Sequence, residues 1–155
     1  FGAWMAARGL QVLEINPAGS LTRFLAGQPG HLLATYPDVD MTALPYADGR
    51  FDLVIHSDTL EHIRHPVRAL AECRRVLKGG GHCVYTVPLL PGRLTVSREG
   101  MPPSYHGNPG AGAADYVVWT EYGADAWCQA LQAGFRECRI MAHKFPSALA
   151  LAAAA

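Results

Sequence analysis

What the sequence has little of narrows the field first. No stretch reaches the roughly 18 consecutive apolar residues that a membrane-spanning helix needs, so no span is expected. Neither charge is in excess: 13 Lys and Arg stand against 13 Asp and Glu. Without a field of one sign to draw the chain onto a polyanion or an anionic bilayer, neither nucleic acid nor membrane is an expected partner. Cysteine is sparse, with four residues (Cys73, Cys83, Cys128 and Cys138) and no CxxC pair. Such scattered thiols read as small buried residues in a reducing compartment, and the expected location is the cytoplasm. A secretory leader is not expected either. Gly-x-Ser-x-Gly elbows and Walker loops are also missing, which leaves hydrolase and nucleoside-triphosphatase readings without an anchor.

What is present reads as one globular domain over residues 1–155, half of it apolar. The first eight residues look like the last turns of a helix stopped by Gly9, so further residues upstream are expected. Gln11–Asn16 is a short apolar run with β-branched residues between Gly9 and Pro17, the pattern of a buried strand. Ser20–Ala26 sets Leu21, Phe24 and Leu25 at helical spacing, and His31–Tyr36 reads as a second strand. A turn-rich segment covers 37–49, and Phe51–His56 is a third strand. Pro66–Lys78 has proline at a favoured first position and Val67, Leu70, Cys73 and Leu77 on one side; Gly79, Gly80 and Gly81 stop it. The strand His82–Val87 follows.

Residues 89–118 are rich in proline and glycine and lack periodicity, the profile of a lid or substrate loop. Thr120 is expected to cap a helix carrying Ala124, Trp127, Cys128 and Leu131, ended by Gly134. Phe135–His143 and Ala148–Ala153, divided by Pro146, read as an antiparallel pair. This alternation predicts a Rossmann-like, doubly wound α/β fold. Its mostly parallel sheet of about six strands, with an antiparallel C-terminal strand, forms the middle of a three-layer sandwich. Ligands of such sheets sit beyond the carboxyl ends of the strands, here just after residues 16, 36, 56 and 87.

The turn after the first strand, Asn16-Pro-Ala-Gly-Ser20, is small, as close approach of a nucleotide requires, and Asn16 tolerates positive φ. Pro17 donates no N–H, so the turn suits a ligand without phosphates better than a pyrophosphate. Asp38 lies roughly 20 residues beyond the turn, where a carboxylate can take ribose hydroxyls. Asp40 can accept an adenine amine, with Met41 against the ring. His62 and His106 are the candidate bases, since a histidine near its ordinary pKa serves at neutral pH. Asp58, His62 and His65 would share a face only on a helix, which Pro66 disfavours at His65, so no metal site is expected.

Val12-Leu-Glu-Ile15, Asp40-Met-Thr-Ala-Leu-Pro45, Asp48-Gly-Arg-Phe-Asp-Leu-Val54, Leu60-Glu-His62 and Ala69–Gly80 follow in order. That succession resembles the type 11 family of class I S-adenosylmethionine-dependent methyltransferases, with the likeness strongest over 11–88. The resemblance implies S-adenosylmethionine as cofactor and in-line methyl transfer to a small-molecule acceptor. It implies that Glu14 and the Asn16, Pro17, Ala18 and Gly19 backbone hold the methionyl part. Asp40 and Met41 would contact adenine, and the His56–Ser57 segment would pass beside the amino-acid end. The family's glycine-rich loop has become Asn-Pro-Ala-Gly-Ser here. Two alternatives accompany this reading: a non-catalytic binding module that has lost the cofactor, and a nicotinamide-dependent oxidoreductase.

Overall fold

A computed structural model describes residues 8–106, 116–145 and 148–155. Four parallel strands form its centre: β1 (Val12–Ile15), β2 (His31–Ala34), β3 (Phe51–Ser57) and β4 (Leu77–Thr86). Two more strands of the same sheet, β8 (Glu137–Lys144) and β9 (Ala148–Ala154), lie beyond β4. The order across the sheet is β2-β1-β3-β4-β9-β8, and β9 runs antiparallel to both of its neighbours. The expected mostly parallel six-stranded sheet with an antiparallel strand at the C-terminal end is therefore present.

Alternation along β1 explains the layering. Leu13 and Ile15 point to one face, where α2 (Pro66–Val76) and α3 (Trp127–Gln132) bury Leu70, Cys73, Val76 and Ala130 in the main core. Val12 belongs to a smaller cluster on the opposite face, with Leu25 of α1 (Ser20–Leu25) and Ile55 of β3. Glu14 shares the face of Val12 and is wholly buried there.

Four differences from the sequence reading have local causes. Helix α2 ends at Val76, before the glycines, and β4 already begins at Leu77. The pairing jumps from Phe51↔Leu77 to Leu53↔His82, so Lys78–Gly81 bulge out of the ladder, with Gly80 at φ +80°. Thr120 starts no helix. Thr120–Gly123 is β7, which pairs with β5 (Leu89–Leu90) and β6 (Val96–Ser97) in a small second sheet. The helix starts only at Trp127, after the Gly123–Ala126 turn. The expected loop is thus partly ordered into a cover. Residues 107–115 of it, the start of the chain through residue 7 and the Pro146 break lie outside the described residues.

Candidate active site

The end of β1 is built around one carboxylate. Glu14 Oε1 accepts the Ala18 N–H at 3.0 Å and the Thr22 hydroxyl at 2.5 Å, and Oε2 lies 2.8 Å from His31 Nε2. A buried carboxylate with three partners holds the turn, α1 and β2 in one arrangement. Asn16 adopts φ +57°, the conformation its side chain tolerates, and its Oδ1 accepts the Tyr36 N–H at 3.0 Å. Gly19, at φ +60°, hands the chain to α1. The bend thereby turns away from the sheet and leaves a crevice of about 640 Å³ beyond the ends of β1, β2 and β3. Pro17 forms part of its wall without filling it.

Of the residues singled out in the sequence, Asn16, Pro17, Asp40, Met41, Ser57 and His62 border this crevice. Met41 is 2% exposed, with its thioether body in the core, whereas Asp40 stays at the surface. Asp40 Oδ1 accepts the Thr42 N–H and hydroxyl at 2.7 and 2.8 Å, and this turn orients the carboxylate. Five other expected contacts lie elsewhere. Glu14 bonds three internal partners, and neither it nor Ala18 nor Gly19 lines the crevice. Asp38 is exposed outside the crevice, and Tyr36 stands in its place. His56 is buried in the sheet, stacked 4.8 Å from Tyr85, with both ring nitrogens unpartnered; burial pulls its pKa down to about 3.

A second cavity, of about 1290 Å³, opens between the carboxyl ends of β3 and β4 and the cover. It meets the crevice at Ser57 and Asp58, which border both. Asp58 takes φ +46°, rare for a residue with a side chain, while its N–H bonds Thr86 O at 3.1 Å. Ser57 and Thr86 hydroxyls sit 2.7 Å apart beside it. Strain of this kind gathers at functional positions, and in the sequence Asp58 stands out only as a metal-type ligand. Its place directly after a central parallel strand was the available signal.

The cover brings His106 to this junction. Its Ser104–His106 limb pairs with Tyr116–Val118, through Val118 N to Ser104 O at 2.8 Å and His106 N to Tyr116 O at 3.1 Å. The partner limb is tied to the short 3-10 turn Leu60–His62: Trp119 N donates to Glu61 O at 2.8 Å, and His62 Nδ1 donates to Val117 O at 3.1 Å. His62 and His106 therefore stack with ring centres 6.1 Å apart, on either side of Glu61. Burial drives the Glu61 carboxyl up to about 7, helped by Asp58, and lowers the His62 pKa. His65 does not join this group. It is the N-cap residue of α2, with φ −122°.

Comparison with known proteins bears on the family and the fold. Residues 2–85 match the family model described as a methyltransferase domain. An uncharacterized methyltransferase of Mycobacterium sp. (strain JLS) is 34% identical over 93 residues, 59% of this chain and 36% of the relative. A ubiquinone biosynthesis O-methyltransferase of Cereibacter sphaeroides is 34% identical over 80 residues, 50% of this chain and 32% of the relative. The chain thus spans about a third of the length of these curated relatives. Among solved structures, an S-adenosylmethionine-dependent methyltransferase from Mesorhizobium loti aligns over 100% of this chain and 98% of its own. That alignment has a TM-score of 0.57 at 14% identity, a likeness of fold.

Proposed function

The chain belongs to the methyltransferase domain family, and from that premise we propose that it transfers a methyl group from S-adenosylmethionine to an oxygen of a small-molecule acceptor. The observation that carries this reading is the meeting of two cavities at Ser57 and Asp58. One is of nucleoside size, and the other has room for an acceptor. The donor set suits a sulfonium nucleoside. Asp40 and the buried face of Met41 would hold the adenine, the Asn16–Pro17 bend and Tyr36 the ribose side, and Ser57 and Asp58 the end toward the second cavity. Pro17 offers no N–H to a pyrophosphate, which favours this cofactor over a nicotinamide dinucleotide. When bound, the cofactor supplies a methyl carbon whose bond to sulfur breaks as the acceptor oxygen bonds to it, the bonding pair staying on sulfur.

The protein's part is alignment and proton handling. The junction at Asp58 restricts where the two ligands can face each other, and positioning alone is worth about 7–11 kcal/mol in good model systems. Glu61 and His106 stand on the acceptor side of that junction, where an acceptor hydroxyl must lose its proton, and His62 borders the crevice beside them. The oxygen acceptor is favoured by the relative from Cereibacter sphaeroides, named an O-methyltransferase. Calorimetric titration with S-adenosylhomocysteine tests the reading. One equivalent should bind with measurable heat and a raised melting temperature. No heat and no thermal shift at millimolar ligand would leave a binding module without cofactor, the sequence alternative.

A further inference from the structure

We infer that Glu61, His62 and His106 form a binding site for a divalent first-row transition-metal ion at the edge of the acceptor cavity. The argument begins with a buried carboxylate that has nothing to bond. Glu61 is 2% exposed, and neither oxygen accepts a hydrogen bond. Buried carboxylates without donors are costly and rare, and a bound cation would relieve that cost. His62 cannot supply a proton to it. The Val117 carbonyl can only accept, so Nδ1 of His62 carries the hydrogen and Nε2 of the neutral ring presents a lone pair. That lone pair faces Glu61 Oε1 at 3.7 Å, and His106 Nδ1 lies 3.5 Å from the same oxygen.

These separations decide between a proton and an ion. A hydrogen bond closes at about 2.7–3.2 Å, and both distances exceed that range. Two donors bound to one tetrahedral ion at about 2.0–2.1 Å stand roughly 3.3 Å apart, close to what is observed. All three ligand atoms lie within 4.8 Å of one another, and His106, with a half-exposed side chain, is free to make the small adjustment needed. The Val117 carbonyl behind His62 is the kind of outer partner that fixes a ligating imidazole. Two imidazoles and one carboxylate suit zinc, iron(II) or cobalt(II) rather than magnesium or calcium.

Glu61 and His106 both border the acceptor cavity, so the coordination positions left open face it. An acceptor hydroxyl bound there would release its proton to water at neutral pH. That role rests on the methyl-transfer reading, whereas the metal site stands without it. The test is to strip the full chain with a chelator, then titrate it with cobalt(II). One equivalent should produce visible bands of four- or five-coordinate cobalt, removed by one equivalent of zinc. His106→Ala changes an exposed residue and should keep the fold; it and Glu61→Gln should each weaken cobalt binding 10- to 100-fold. S-adenosylhomocysteine binding by His106→Ala should stay at the wild-type level. Weak six-coordinate cobalt bands only, or unchanged binding in the His106→Ala protein, would overturn the site. Loss of nucleoside binding with cobalt bands retained would instead overturn the methyl-transfer reading and leave the metal site in place.

Discussion

The two cavities that meet at Ser57 and Asp58 are built in different ways. The crevice proposed for the nucleoside is made mainly by the segments that follow β1, β2 and β3, with Tyr116 and Trp119 of the cover also lining it. The acceptor cavity draws on the ends of β3 and β4, the cover, and β8 and β9, from Ser57 to Ala150. A site made of local turns is braced by the sheet itself. A site made across long separations depends on the contacts that hold the cover down. The difference predicts that single substitutions should damage one cavity and spare the other.

The largest effect is expected where one buried group holds the first region. Glu14→Ala removes a wholly buried carboxylate and strands Ala18 N–H, the Thr22 hydroxyl and His31. It should cost about 3 kcal/mol of stability in denaturant titration and weaken S-adenosylhomocysteine binding as well. A loss under 1 kcal/mol would show that the bend holds itself without Glu14.

His56 lies beneath the junction and should affect both sides equally. Its folded pKa of about 3 is below the 6.5 of an unperturbed histidine. The unfolded chain therefore binds the proton first, and this stability, complete above about pH 6.5, declines as the pH falls toward 3. Relative to His56→Phe, the wild type should lose about 2 kcal/mol between pH 7 and pH 5. Parallel pH profiles would show that His56 is not buried neutral.

Gly123→Ala tests the second region. A methyl group there would lie 2.2 Å from Arg93 O, where β7 crosses the loop held by Thr95 and Asp125. Overpacking against backbone should cost about 1–2 kcal/mol in thermal or denaturant melts and loosen the cover. Nucleoside affinity should stay the same; a parallel loss would mean that the two cavities are not separately braced. The smallest effect should come from Asp40→Ala, expected to weaken S-adenosylhomocysteine by about 1 kcal/mol, or about fivefold in Kd, by calorimetry. Unchanged affinity would take Asp40 out of the site.

Legibility follows the same division. That Asn16, Pro17, Asp40, Met41 and Ser57 line one crevice was legible because strand periodicity locates the strand ends, beyond which such sheets leave their crevices. Glu14 and His56 lie in the same stretches, but strand alternation turns them into the sheet's packing rather than toward the crevice. Thr120 looks like a helix cap in the sequence because a capping residue and apolar spacing say nothing of β5 and β6, about 30 residues away in the chain. The pairing of Glu61 and His62 with His106 had no sequence signal, since it depends on how the cover limb lies across the 3-10 turn.

By itself, the order of residues determined the alternating strands and helices, the parallel sheet and the small bend after β1. Those follow from local periodicity and from the few conformations that Asn, Gly and Pro permit. Tertiary structure alone decided which carboxylates became braces, which histidines were buried, and that Glu61 should face two imidazoles. The reason is physical: a side chain's neighbours across the fold, and the water they exclude, set its partners and its charge, and neither is encoded in adjacent residues.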